Sequence, residues 1–83
     1  MNFKAKVTVM PQKEILDPQG KAVELALNQI GVGLVRDVRI GKRIEFNLEA
    51  RSEAEALEKI NSASKSLLAN MIMEDYFIEI ENI

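Results

Sequence analysis

The side chains in this sequence that could enter bond-making chemistry are serines and carboxylates. Ser52, Ser62, Ser64 and Ser66 fall within one stretch. A serine becomes a nucleophile when a base takes its proton, and histidine is the usual base near neutral pH. The sequence has no His, and with no Cys it also lacks a thiolate. These serines therefore read as a helix cap and as solvated or packed helix positions. Glu45 with Glu49, and Glu79 with Glu81, are spaced to share a strand face, where like charges can shift a pKa. They read as a solvated sheet face. Gly31-Val32-Gly33 lacks both the further glycine and the following helix of a dinucleotide cradle, and no Walker-type run is present. Without His or Cys, a zinc site of the usual ligands is not expected. The composition points to a chain with no active site of its own.

Binding is the alternative, and three surfaces qualify. The first is Asp17-Pro18-Gln19-Gly20-Lys21, a helix start whose glycine would let another backbone or an anion come close. The second is a basic turn of Arg36, Arg39, Lys42 and Arg43 that could take a phosphate or an acidic partner. The third is Phe77, on the opposite strand face from Tyr76 and preceded by Met71, Ile72 and Met73, which suggests a subunit interface.

The elements that must position these residues follow from spacing. Phe3, Ala5, Val7 and Val9 alternate with Lys4, Lys6 and Thr8, as in a half-buried strand that Pro11 closes. Asp17 suits an N-cap and Pro18 the first helical position. Ala22, Val23, Ala26, Leu27 and Ile30 then share one face of a helix over 18–30, with Gly31 as its stop. Val38, Ile40, Ile44, Phe46, Leu48 and Ala50 keep one parity around Gly41-Lys42-Arg43. That pattern fits either a hairpin with a three-residue loop or a single long bent strand. Ser52 and Glu55 form a capping box for a helix over 53–69, with Asn70 as a left-handed close. Residues 75–81 alternate again, Tyr76, Ile78 and Ile80 against Phe77, Glu79 and Glu81.

The order is β-α-β(β)-α-β, one domain over residues 1–83. It predicts an α+β, ferredoxin-like fold with two helices on one face of an antiparallel sheet. A chain of 83 residues has a thin core, and self-association is a common remedy. Eleven Lys and Arg against thirteen Asp and Glu give a net charge of −2, which disfavours nucleic acid. No apolar run reaches membrane-spanning length, and the alternating N-terminus is unlike a signal peptide. The cytoplasm is the expected compartment.

The segments Leu16-Asp17-Pro18-Gln19-Gly20-Lys21-Ala22-Val23, Val38-Arg39-Ile40-Gly41-Lys42, and Leu67-Leu68-Ala69-Asn70 with Glu74-Asp75-Tyr76 together resemble the PurS family. The likeness runs from about residue 3 to residue 80. The first segment is its most specific part. The family often has proline after the Ala-Asn pair, where Met71 stands here.

The resemblance implies a small subunit of a three-chain phosphoribosylformylglycinamidine synthase. That complex turns formylglycinamide ribonucleotide, glutamine and ATP into formylglycinamidine ribonucleotide, glutamate, ADP and phosphate, a step of purine biosynthesis. The implied partners are a PurL-type synthetase subunit, which uses ATP and Mg, and a PurQ-type glutaminase subunit. The small subunit is implied to carry no cofactor, to form a dimer or tetramer, and to help ammonia pass between the other two. Asp17 to Lys21, Arg39, Gly41, Lys42, Asn70, Asp75, Tyr76 and Phe77 are the interface candidates. The competing readings are a small-molecule-sensing module on the same fold and an RNA-binding sheet. The latter is disfavoured by the net charge and by the lack of paired aromatics on the central strands.

Overall fold

The structure is a computed structural model and describes residues 1–83. The elements are β1 (Asn2–Pro11), α1 (Pro18–Gln29), β2 (Lys42–Glu49), α2 (Glu53–Ala63), a π-helical turn (Ser64–Leu68) and β3 (Glu74–Asn82). The three strands form one antiparallel sheet in the order β2-β1-β3. The ferredoxin-like α+β class is the one expected from the sequence, but the two expected helices do not both lie on the sheet: only α2 does.

The alternation in β1 dictates the layering. Phe3, Ala5, Val7 and Val9 are buried on the inner face. The register sets Val7 between Ile44 of β2 and Ile78 of β3, so a one-residue slip would turn the whole apolar row to water. α2 lies against β1 and β3, with Ala56 and Ile60 fully buried beneath it. The Tyr76 hydroxyl joins the layers by donating to the Asn61 side-chain oxygen.

α2 starts on Ser52, whose Oγ accepts the Glu55 amide at 3.1 Å. The capping box is half formed. Glu55 turns its carboxylate to Arg51 at 3.0 Å and Lys59 at 3.3 Å, its neighbours one helical turn either side. The helix ends by widening. Ser64, wholly buried, bonds back to the Ile60 carbonyl at 2.8 Å, and the Ala69 amide reaches the Ser64 carbonyl across five residues at 2.9 Å. The close is therefore this turn, with Ala69 extended. Asn70 is not left-handed, since Asp37 is the one non-glycine with positive φ.

Residues 34–41 form neither a hairpin nor sheet. The ladder begins at Lys42, and no strand precedes it after α1. α1 and this segment extend from the sheet as an arm, giving Cα dimensions of 50 × 27 × 13 Å. α1 makes no contact with the sheet comparable to that of α2. Ten of 83 residues are buried, and Gly20 alone comes from α1. The core thus belongs to β1 and α2. Truncating Ile60 to alanine should lower stability by about 2–5 kcal/mol, measured by urea unfolding. Leu25→Ala on the exposed arm should change the midpoint little. Equal losses at the two sites would contradict this division.

Candidate functional site

The candidate residues Asp17 to Lys21 and Arg39 come together at the root of the arm. Asp17 caps α1, its carboxylate accepting the Gly20 amide at 3.0 Å. The other oxygen accepts the Ile40 amide at 2.8 Å. One side chain thus ties the start of α1 to a position 23 residues further along the chain.

The remaining clamps lie on the same side of α1. Glu24 accepts the Val38 amide at 3.3 Å. Asn28 bonds Val35 twice, donating to its carbonyl at 3.1 Å and accepting its amide at 2.8 Å. Positions 17, 24 and 28 recur at helical spacing and so share one face. Residues 35–40 run antiparallel to α1 along that face. Helix side chains therefore satisfy backbone amides that a neighbouring strand would otherwise take.

Gly20 allows the contact. A Cβ there would sit 2.3 Å from the Val38 carbonyl oxygen and 2.7 Å from the Asp17 carboxylate. The backbone that approaches this glycine is the chain's own. Gly41 has the same role at the start of β2, where a Cβ would lie 2.4 Å from the Val9 carbonyl oxygen. The glycine at the C-terminal end of α1 works differently. Gly31 has φ +81°, and the Val32 amide reaches back to the Leu27 carbonyl at 3.3 Å, closing the helix.

The electrostatics agree. Backbone hydrogen bonds, from Ile40 first and then Gly20, hold the Asp17 carboxyl below its ordinary pKa. The amides at the start of α1 are thus engaged internally, and that end presents no open anion cradle. Beside it lies a groove of about 670 Å³, lined by both charge signs, among them Lys13, Glu14, Lys21, Asp37 and Arg39. No group of three or more acidic side chains converges as metal ligands would.

The other candidates lie elsewhere. Lys42 and Tyr76 flank Val9 in the ladder, and Arg43 and Phe77 flank Thr8. Asn70 shapes the turn before β3. Its side chain accepts the Ile72 amide at 3.0 Å and its own amide donates to Glu74 at 2.7 Å. That turn leaves Ile72 84% exposed, while Asp75 and Phe77 lie on the outer sheet face. The basic residues named as one turn are split: Arg39 stays on the arm, and Arg43 pairs with Glu45 at 2.7 Å. Sequence reasoning missed Glu24 and Asn28. Their spacing from Asp17 was visible, but polar residues at helical spacing equally describe a solvated face.

The arm's other side is apolar and uncovered. Val23, Ala26 and Ile30 lie on α1 away from the clamps, all exposed, Ile30 by 74%. On the sheet, Ile44, Phe46 and Leu48 of β2 are half-buried, beyond the strands that α2 covers. The geometry offers two unmatched apolar surfaces on a rigidly braced frame.

Comparison with known proteins gives consistent likenesses. The family model for PurS, phosphoribosylformylglycinamidine (FGAM) synthase, matches residues 4–82. The phosphoribosylformylglycinamidine synthase subunit PurS of Bacillus subtilis is 40% identical over 81 residues, covering 98% of this chain and 95% of that protein. The structure of Thermus thermophilus PurS aligns with a TM-score of 0.88 at 38% identity, covering 100% of this chain and 99% of that one. A chain in the structure of PurLQS from Thermotoga maritima aligns with a TM-score of 0.90 at 28% identity, covering 98% and 99%.

The Asp17 clamp has a pH signature. A carboxyl whose pKa is lowered by folding contributes stability above its ordinary value and loses it as pH falls through the lowered one. The Ile40 and Gly20 amide resonances should therefore shift together in acid, with a midpoint below that of an ordinary aspartate. Asp17→Ala should abolish the titration and release Val38 to Ile40 while leaving Val7 and Ile60 resonances in place. An Ile40 amide indifferent to both acid and the substitution would refute the clamp.

Proposed function

The chain belongs to the PurS family, and from that premise we propose that it is the small, non-catalytic subunit of a glutamine-dependent phosphoribosylformylglycinamidine synthase. In this reading the 83 residues work as one domain, in the cytoplasm, between a PurL-type synthetase subunit and a PurQ-type glutaminase subunit. The complex uses glutamine and ATP to convert formylglycinamide ribonucleotide to formylglycinamidine ribonucleotide. The small subunit supports passage of ammonia from one active site to the other. Ammonia released to water becomes ammonium, which is no nucleophile. Sealing its path requires fitted surfaces rather than a reactive side chain. No helix here is long and apolar enough to cross a membrane.

The observation that carries the reading is the uncovered arm. Val23, Ala26 and Ile30 face outward on α1, and the β2 side of the apolar sheet face is open. A second copy supplies what each copy lacks, by seating its α1 on that half of the sheet. Such an exchange is self-complementary, as a two-fold pair requires. The interface candidates then divide by role. Asp17, Pro18, Gln19, Gly20, Lys21, Arg39 and Gly41 shape and aim the arm. Lys42 and Tyr76 border the inner face that receives it. Asn70, Asp75 and Phe77 remain outside.

Two outcomes follow. Val23→Asp should leave the sheet and α2 folded but shift sedimentation to a smaller species, because it places a charge in the contact. An unchanged sedimentation coefficient would remove the arm from the interface. In a reconstituted assay, the PurL-type and PurQ-type subunits should need this chain for glutamine-dependent synthesis, and depend on it much less when ammonium salt replaces glutamine. Full glutamine-dependent turnover without the chain would refute the subunit role.

A further inference from the structure

Phe77 is the one largely exposed aromatic side chain, at 61%, whereas Phe3, Phe46 and Tyr76 point inward. It stands on the outer face of β3, level with Thr8 of β1 and two pairs along the ladder from Met10. The other side chains on that face are mostly charged, and the cations among them are already engaged. Lys4 meets Glu45 at 3.3 Å, Arg43 meets the same carboxylate at 2.7 Å, and Lys6 meets Glu81 at 2.7 Å. Glu49, Asp75 and Glu79 share the face by register and have no cation within ion-pair distance. The outer face therefore presents one aromatic anchor in a surplus of negative charge.

That combination selects an occupant. A second copy facing it across a two-fold axis would set carboxylates against carboxylates, which costs affinity. The copy-to-copy contact proposed above uses the inner face, on the other side of the sheet. A foreign surface with an apolar pocket ringed by Lys and Arg satisfies both features, because interface energy concentrates on buried aromatics and charge complementarity sets orientation. We infer that the outer sheet face around Phe77 docks onto a basic, apolar-centred surface of a larger partner subunit. The inference rests on the subunit reading and adds the face through which the partner is held.

The test titrates this chain into its cognate large and glutaminase subunits and follows glutamine-dependent turnover. Phe77→Ala should raise the concentration for half-maximal stimulation about tenfold or more, with sedimentation of the isolated chain unchanged. Glu79→Lys should do the same, since Glu79 makes no ion pair within the chain. Added salt should raise the wild-type requirement by screening the charges. Wild-type titration curves for both variants would overturn the proposal. So would a Phe77→Ala chain with altered self-association, because the face would then belong to a copy-to-copy contact. Failure of the wild-type chain to stimulate turnover would overturn the subunit reading and this inference with it.

Discussion

A sheet of three strands with one helix seated on it leaves half of its apolar face without cover. That shortage governs the molecule. β1 is paired on both sides, so its inward residues are wholly buried. The inward residues of β2, at one edge, are not. With ten buried residues, the chain covers its sheet with one helix and leaves its own second helix off it. The arm follows from this arithmetic of surface. α1 is held by its own chain through polar clamps and is left without apolar cover.

The clamps explain why such an arm can be stiff. A helix beside an unpaired extended segment would leave backbone amides to water, and both pieces would be free to move. Asp17, Glu24 and Asn28 take those amides, and Gly20 lets the backbones meet. The arm keeps its shape without a hydrophobic core of its own. A rigid arm limits the ordering entropy spent when a partner surface arrives.

Much of this was legible in the residues, for identifiable reasons. Strict alternation from Phe3 to Val9 fixed β1 and its face, because only one register buries all four side chains. Asp17-Pro18 and Ser52 marked both helix starts, since capping is local chemistry. Phe77 stood out because its parity contradicts its hydrophobicity. Other features are not local. The parity from Val38 to Leu48 continues across Gly41, yet only the second half finds a strand to pair with. That outcome depends on where α1 lies. Gly20 reads as an opening for a foreign backbone, and Val38 fills it from within the chain. The clamp residues Glu24 and Asn28 look like any solvated helix face until the segment they hold is placed beside them.

Both edges of the sheet are open, and open edges invite other strands. Here β2 carries Glu49, and β3 carries Asp75 and Glu79, with no cation within ion-pair distance. A like edge drawn up alongside would bring these unpaired carboxylates together, so stray strand addition is disfavoured while the faces stay available. The acidity that gives the chain its negative balance thus acts as a guard against aggregation, sited where a short, thin-cored protein is most exposed to it.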